Sequence, residues 1–376
     1  MFREESFMFK IVCILIALTV HNYAEDKLIK LQPPHNGQIY FGAFPDFAGS
    51  EDNVSTQKIN DFEAIAGKKI AWAYFSQNWF NGIVYPKTAI HAIYESGVIP
   101  FVRLMPRSDE VQGDAEETFS MQHIIDGDFD AELKKWARDA KAEGIPLLMD
   151  FAVEANGDWF GWSGVFNGGA KTNGYGDPNY PDGPERFRDA YRHIITLFRN
   201  EDVKNITWFF HYNYASFPYA SWNKPRYYYP GDDYIDWVGF SLYGAQTLDE
   251  EWDGLDFSTQ LRDYSDDAEA INHHKPIALL EFGVTDHHLG GSKSQWLDDA
   301  FTTILSNPYM KFDAISPWHE NWENEDGTFT TLRLDSSAEV KETFRGWVDN
   351  PRFISKTNLR DNDFSFLPAI YGLLLD

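Results

Sequence analysis

The sequence predicts a single (β/α)8 barrel, and three observations carry that prediction. Eight apolar runs of strand length recur along the chain, amphipathic helical segments separate them, and polar residues gather where the runs end. Strands alternating with helices give a parallel sheet, and eight is the number that closes a barrel. A doubly wound open sheet is the competing arrangement.

Taken in order, the strand runs are Gln38–Pro45, Ile70–Gln77, Ile99–Pro106, Pro146–Glu154, Ile206–Asn213, Tyr234–Gly244, Pro276–Val284 and Phe312–His319. Each is rich in aliphatic and aromatic residues and bounded by turn formers. Between them, Asp130–Glu143 sets Leu133, Trp136, Ala137 and Ala140 on one helical face. Pro184–Asn200 does so with Phe187, Tyr191, Ile194, Ile195 and Phe198, and Lys293–Ser306 with Trp296, Leu297, Phe301, Ile304 and Leu305. Tyr214–Tyr229 is the weakest helix candidate, because Pro218 and Pro225 interrupt it. Residues 156–184, rich in Gly, Asn, Asp and Pro, form the longest irregular stretch.

Composition limits the partners. The 376 residues carry 32 Lys and Arg against 58 Asp and Glu, a net charge of −26 that repels nucleic acid and anionic membranes. Sixty-two aromatic residues, 13 of them Trp, exclude a disordered acidic chain. Residues 1–24 have the layout of a secretory signal peptide: basic Arg3 and Lys10, an apolar stretch to Val20, and Ala24 before Glu25-Asp26. Cleavage there removes Cys13, the only cysteine, so the mature chain would hold neither disulfide nor thiolate. The expected organisation is a signal peptide (1–24), a catalytic barrel (25–353) and a tail (354–376), in a secreted monomer.

Barrel enzymes place their chemistry at the carboxyl ends of strands. Those ends supply Arg103, Glu154, His211 and Asn213, Tyr243, Glu281, and Trp318 with His319. Glu154 and Glu281, on the fourth and seventh strands, face each other across the mouth. Glycoside hydrolysis needs such a pair, one carboxyl protonated and one ionised.

Glu-Ala-Asn-Gly-Asp-Trp-Phe-Gly-Trp (Glu154–Trp162) resembles the acid/base motif of glycoside hydrolase family 26. Leu279–Gly283 resembles the nucleophile strand of that family, Gly239–Tyr243 its supporting-tyrosine strand, and Ser316–His319 its eighth strand. The family holds retaining β-mannanases, β-glucanases and β-xylanases. The resemblance therefore implies Glu154 as general acid/base, Glu281 as nucleophile and Tyr243 as the donor that orients Glu281. It also implies sugar contacts by Trp159, Trp162, Trp318 and Asn156. Arg103, His211 and Trp79 are further candidates for substrate binding, with Phe80 and Trp322 in outer positions. The expected substrate is a plant-type β-linked polysaccharide, β-1,4-mannan first, then mixed-linkage glucan or xylan. Mannanases of the family usually carry His before the acid/base, and Val153 stands here instead. A carbohydrate-binding protein without turnover is the alternative of another class.

No cofactor or metal is expected. Asp126–Asp130 lacks the glycine and closing glutamate of a calcium loop and reads as a turn and helix cap. The pairs His273-His274 and His287-His288 lack ligand spacing, and no phosphate loop appears. Asn53-Val-Ser and Asn205-Ile-Thr are glycosylation sequons.

Overall fold

The computed structural model describes residues 29–249, 256–265, 271, 274–289, 291–306, 308–324 and 327–360. The expected signal peptide, Cys13 and most of the expected tail lie outside the described residues.

Among the described residues, eight parallel strands make the barrel. They are β1 (Ile39–Phe41), β2 (Trp72–Asn78), β3 (Ile99–Met105), β4 (Leu147–Phe151), β5 (Ile206–Asn213), β6 (Trp237–Tyr243), β7 (Ile277–Gly283) and β8 (Ala314–Pro317). From β2 to β8 each strand pairs with the next, and β8 pairs with β1. The ring closes just beyond β1, where Ala43 bridges Ala73 and exchanges backbone hydrogen bonds of 3.0 and 3.1 Å with Trp72 and Tyr74. Each strand falls inside the run expected of it, apart from a one-residue overhang of β2 at Asn78. The strands are shorter than several of the runs, whose last residues turn into the mouth.

Helices α1 (Thr56–Ala66), α2 (Lys87–Glu95), α3 (Met121–Asp126), α4 (Asp130–Glu143), α5 (Asp182–Asn200), α6 (Pro225–Tyr228), α7 (Phe257–Asp263), α8 (Lys293–Ser306) and α9 (Ala338–Val348) surround the barrel. The apolar faces legible in the sequence are the buried ones: α4 buries Leu133, Trp136, Ala137 and Ala140. Ser55 caps α1 by accepting from the Lys58 amide, and Gly67 ends it in the left-handed conformation. Of the weak candidate Tyr214–Tyr229 only one turn, α6, is helical, beginning where Pro225 is tolerated. No helix among the described residues is long and apolar enough to cross a membrane.

Two departures bear on the expected boundaries. Phe353–Ile354 pairs in parallel with Ile39–Tyr40, on the edge of β1 that β2 takes over further up, and Leu359–Arg360 pairs antiparallel with Lys30–Leu31. The boundary expected at 353/354 thus falls inside a strand. The second sequon is closed off, since buried Asn205 donates to the Ala140 and Ile145 carbonyls at 3.0 and 2.7 Å.

The barrel lumen is filled rather than open. Trp72, Phe101, Phe209 and Trp237 meet ring to ring, with Phe101 and Phe209 centroids 4.8 Å apart. This aromatic layer forms a dry floor on which the polar residues of the mouth stand.

Candidate active site

Two left-handed residues aim Glu154. Ala152 (φ +51°) and Glu154 (φ +56°) twist the chain just after β4, a conformation non-glycine residues adopt at a cost. The turn is held because the Glu154 amide donates to the His211 carbonyl at 3.0 Å and the Gly157 amide to the Glu154 carbonyl at 2.8 Å. Asn156 then clamps the turn to β5. Its Nδ2 donates to the Asn213 carbonyl (2.7 Å) and Ser216 Oγ (3.1 Å), and its Oδ1 accepts from the Asn213 amide (2.8 Å). Gly157 is required because a Cβ there would lie 2.4 Å from the Trp159 ring. That ring folds back so that Trp159 Nε1 donates to Glu154 Oε2 at 2.9 Å. The motif is therefore a device for presenting one carboxyl.

Glu281 lies on β7 opposite Ser241 of β6, where the register shifts between Phe240 and Ser241. Tyr243 donates to Glu281 Oε2 at 2.7 Å. Arg103 Nη1 stands 3.4 Å from Oε1, and Oε1 has no hydrogen-bond partner among the described residues. Arg103 is itself buried and also binds Glu51 Oε2 at 3.0 Å. Burial opposes its charge, but Glu51 and Glu281 more than offset that, and its pKa stands raised.

Glu154 and Glu281 are 7% and 5% exposed. Burial, reinforced by the charge of Glu281, pushes Glu154 up to about 8, while the Ser241 and Trp159 donors pull it down. Such surroundings favour the protonated form of the carboxyl. Next to it, His211 Nδ1 lies 3.0 Å from Asp150 Oδ2 and Nε2 lies 2.8 Å from Ser241 Oγ. Burial drives Asp150 up to about 8 and His211 down to about 3, so the pair is uncharged. One donor atom each from Glu154, His211 and Glu281 fall within 4.8 Å of one another. A metal would need a free imidazole nitrogen and an ionised Glu154. Both nitrogens of His211 already have protein partners, so the imidazole has no free lone pair to offer a cation.

The structure brings Glu154, Glu281, Tyr243, Arg103, His211 and Trp159 into one mouth. The other candidates stand differently. Trp79 is wholly buried, donating to Gln77 Oε1 at 3.2 Å and packed on Phe119, so it has no ring face for a sugar. Trp162 is likewise buried, its Nε1 donating to the Val153 carbonyl at 2.8 Å, and half-buried Phe160 stacks on it at 4.3 Å. Asn156 spends its amide on the backbone clamp rather than on a ligand. Trp318 is stacked on Phe44 at 3.9 Å with the Arg103 guanidinium 5.3 Å from its ring. Val153 has no exposed surface and belongs to the core.

Sequence reasoning missed Asp150, Ser241, Glu51 and Glu320. Asp150 was the discoverable one, being a lone acid inside an apolar strand. Glu320 accepts from Trp318 Nε1 at 3.2 Å, and burial with the nearby Glu51 charge raises it to about 8.

Comparison with known proteins points to the same fold. Residues 109–257 match the model of glycosyl hydrolase family 26. Endoglucanase H of Acetivibrio thermocellus is 27% identical over 318 residues, covering 83% of this chain and 30% of that protein. A β-1,3-xylanase of an Alcaligenes species is 21% identical over 290 residues, covering 70% of this chain and 55% of that protein. The chain thus spans only part of these relatives, 30% of the first and 55% of the second. Among solved structures, a Bacillus subtilis mannanase aligns with a TM-score of 0.56 at 17% identity, covering 88% of this chain and 90% of that one. The family 26 domain of a Prevotella bryantii endo-β-mannanase/endo-β-glucanase aligns at 0.54 and 17% identity, covering 86% and 91%. These structural likenesses carry the barrel fold. The likeness to family 26 at the sequence level rests on residues 109–257.

Proposed function

We propose that this chain is a family 26 glycoside hydrolase, a retaining endo-β-glycanase working by double displacement. The observation that carries the reading is a pair of facing carboxyls, one whose surroundings favour its protonated form and one set between Arg103 and Tyr243. In the first step Glu281 Oε1 attacks the anomeric carbon while Glu154 gives its proton to the departing glycosidic oxygen. In the second, Glu154, now ionised, takes a proton from water, whose oxygen displaces Glu281. The separation supports retention: oxygens within 4.8 Å leave no room for a water between carboxylate and sugar. Tyr243 and Arg103 hold Glu281 in line, and the uncharged His211–Asp150 pair supports the floor beside it.

A gluco-configured backbone, mixed-linkage β-glucan above all, is the substrate the reading favours. The relative aligned over 83% of this chain is named an endoglucanase, and that name is what supports glucan. Mannan is the second reading, supported by the mannanase neighbours. Action outside the cell is supported by the leader-like residues 1–24, and a monomer acting on polysaccharide belongs to the same proposal.

The test is reducing-sugar release from mixed-linkage glucan, mannan, xylan and laminarin, with NMR of the first anomer formed. The highest rate on mixed-linkage glucan with a β-anomer first is expected. Fastest turnover of mannan transfers the substrate to the second reading, and an α-anomer first overturns retention.

A further inference from the structure

Two large aromatic side chains lie exposed in the loop that follows β5, with one face of the cleft's acid turn nearby. Phe217 is 47% exposed and Tyr219 70%. Both sit in the loop between β5 and α6, whose sequence reads as a failed helix.

The loop is built as a rigid pedestal. Buried Asn223 donates its Nδ2 to the Phe217 carbonyl (2.9 Å), the Pro218 carbonyl (3.1 Å) and the Asn156 carbonyl (2.9 Å). The Tyr228 hydroxyl donates to Asn223 Oδ1, and the Phe217 amide donates to the Asn156 carbonyl at 2.9 Å. Asn156 also clamps the acid/base turn, so hydrogen bonds join the pedestal directly to the turn that carries Glu154. Phe217 lies 5.8 Å from the Trp159 ring, and Trp159 holds Glu154. Tyr219 continues outward, edge-on to Tyr264 at 6.0 Å, with the Lys224 ammonium 4.4 Å from its ring.

Direction follows from chemistry. A general acid must reach the glycosidic oxygen, and that oxygen departs with the leaving sugar. Rings extending from the acid/base's own indole partner therefore lie toward the leaving side of the cleft. Apolar C–H faces of β-linked sugars stack on exposed aromatic rings, whereas a solvated loop tip gains nothing by displaying them.

We propose that Phe217 and Tyr219 form a stacking platform for sugar units on the leaving-group side of the cleaved bond of a β-glycan. The proposal rests on the hydrolase reading above. It makes this protein an enzyme that binds its chain on both sides of the bond, as internal cleavage requires.

Two substrates isolate the platform. An aryl β-cellobioside has no sugar beyond the bond, and a gluco-hexasaccharide does. Phe217→Ala/Tyr219→Ala should lower the ratio of kcat/KM on hexasaccharide to kcat/KM on aryl glycoside on the order of tenfold, mainly through KM. Phe217→Trp/Tyr219→Trp should keep that ratio. Calorimetry in a Glu281→Ala background, which needs no turnover, should show hexasaccharide affinity falling on the order of tenfold with the alanine pair. An unchanged ratio and unchanged affinity in a folded alanine variant overturn the platform. So does a concentration-dependent dimer that the alanine pair abolishes, since a second copy would then cover these rings. Absence of hydrolysis by the wild type on every β-glycan fails the function reading instead. Hexasaccharide binding weakened by the alanine pair would still mark the platform as a sugar site.

Discussion

Glu154 and Glu281 occupy nearly the same depth in the barrel mouth, yet their surroundings have opposite character. Glu154 is met by an indole and, on the His211 side, by groups that burial keeps uncharged. Glu281 is met by a guanidinium and a phenol. The two carboxyls share a depth and differ in what stands beside them. Under the proposed mechanism the β4 end of the mouth would hold the acid and the β7 end the nucleophile.

The sharpest way to break the comparison is to remove its charged half. Glu281→Ala should cost at least about three orders of magnitude in kcat while the melting temperature shows a folded protein, because no covalent intermediate can form. Near-normal hydrolysis by folded Glu281→Ala would end the assignment.

Removing the protonated half should split two substrate classes. Glu154→Ala should cost about three orders of magnitude on polysaccharide, whose leaving oxygen needs the proton. On an aryl glycoside the first step survives, and deglycosylation alone slows. A burst of aryl product before a slow steady state is the expected trace, and equal losses on both classes would contradict the acid/base role.

Those two residues were legible in the sequence because each closes a strand-length run within a longer motif. The barrel was legible for the same reason, through runs such as Ile206–Asn213 whose composition fits only a buried strand. What was not legible depends on chain reversals. Glu51 reaches Arg103 from a loop carrying left-handed Asp46, Ala48 and Glu51 itself, which no periodicity announces. Trp79 and Trp162 fit the pattern of cleft aromatics, but a tryptophan in sequence does not reveal which way its ring turns. Their indole N–H groups turned out to serve Gln77 and the Val153 carbonyl. The two-residue strand Phe353–Ile354 is too short for any pattern.

A subtler change tests the β7 end alone. Tyr243→Phe keeps the ring but removes the donor on Glu281 Oε2, so the carboxylate loses one charge-assisted bond and its fixed orientation. A fall in kcat of about ten- to a hundredfold is expected, with KM nearly constant. A loss confined to KM would make Tyr243 a sugar-binding group instead.

The smallest effect belongs to the indole at the β4 end, and its direction is fixed by sign. Trp159 donates to Glu154 Oε2, and a donor favours the ionised carboxylate, so this bond pulls the Glu154 pKa down against burial. The acid works only while protonated, so kcat/KM falls as pH rises through a value near 8. Trp159→Phe deletes the donor and leaves the apolar wall, so burial and the Glu281 charge act with less opposition. Protonation then persists to higher pH, and the alkaline limb moves up by about one pH unit, the equivalent of one hydrogen bond to a charged group. The rate at the plateau falls as well, because the indole face is lost, but the limb position is independent of that scale factor. The measurement is the pH dependence of kcat/KM on a substrate with a poor leaving group, wild type against variant. A limb that stays put would mean the Trp159 bond leaves the proton of Glu154 untouched, and a limb moving down would mean burial at this site depends on the indole itself.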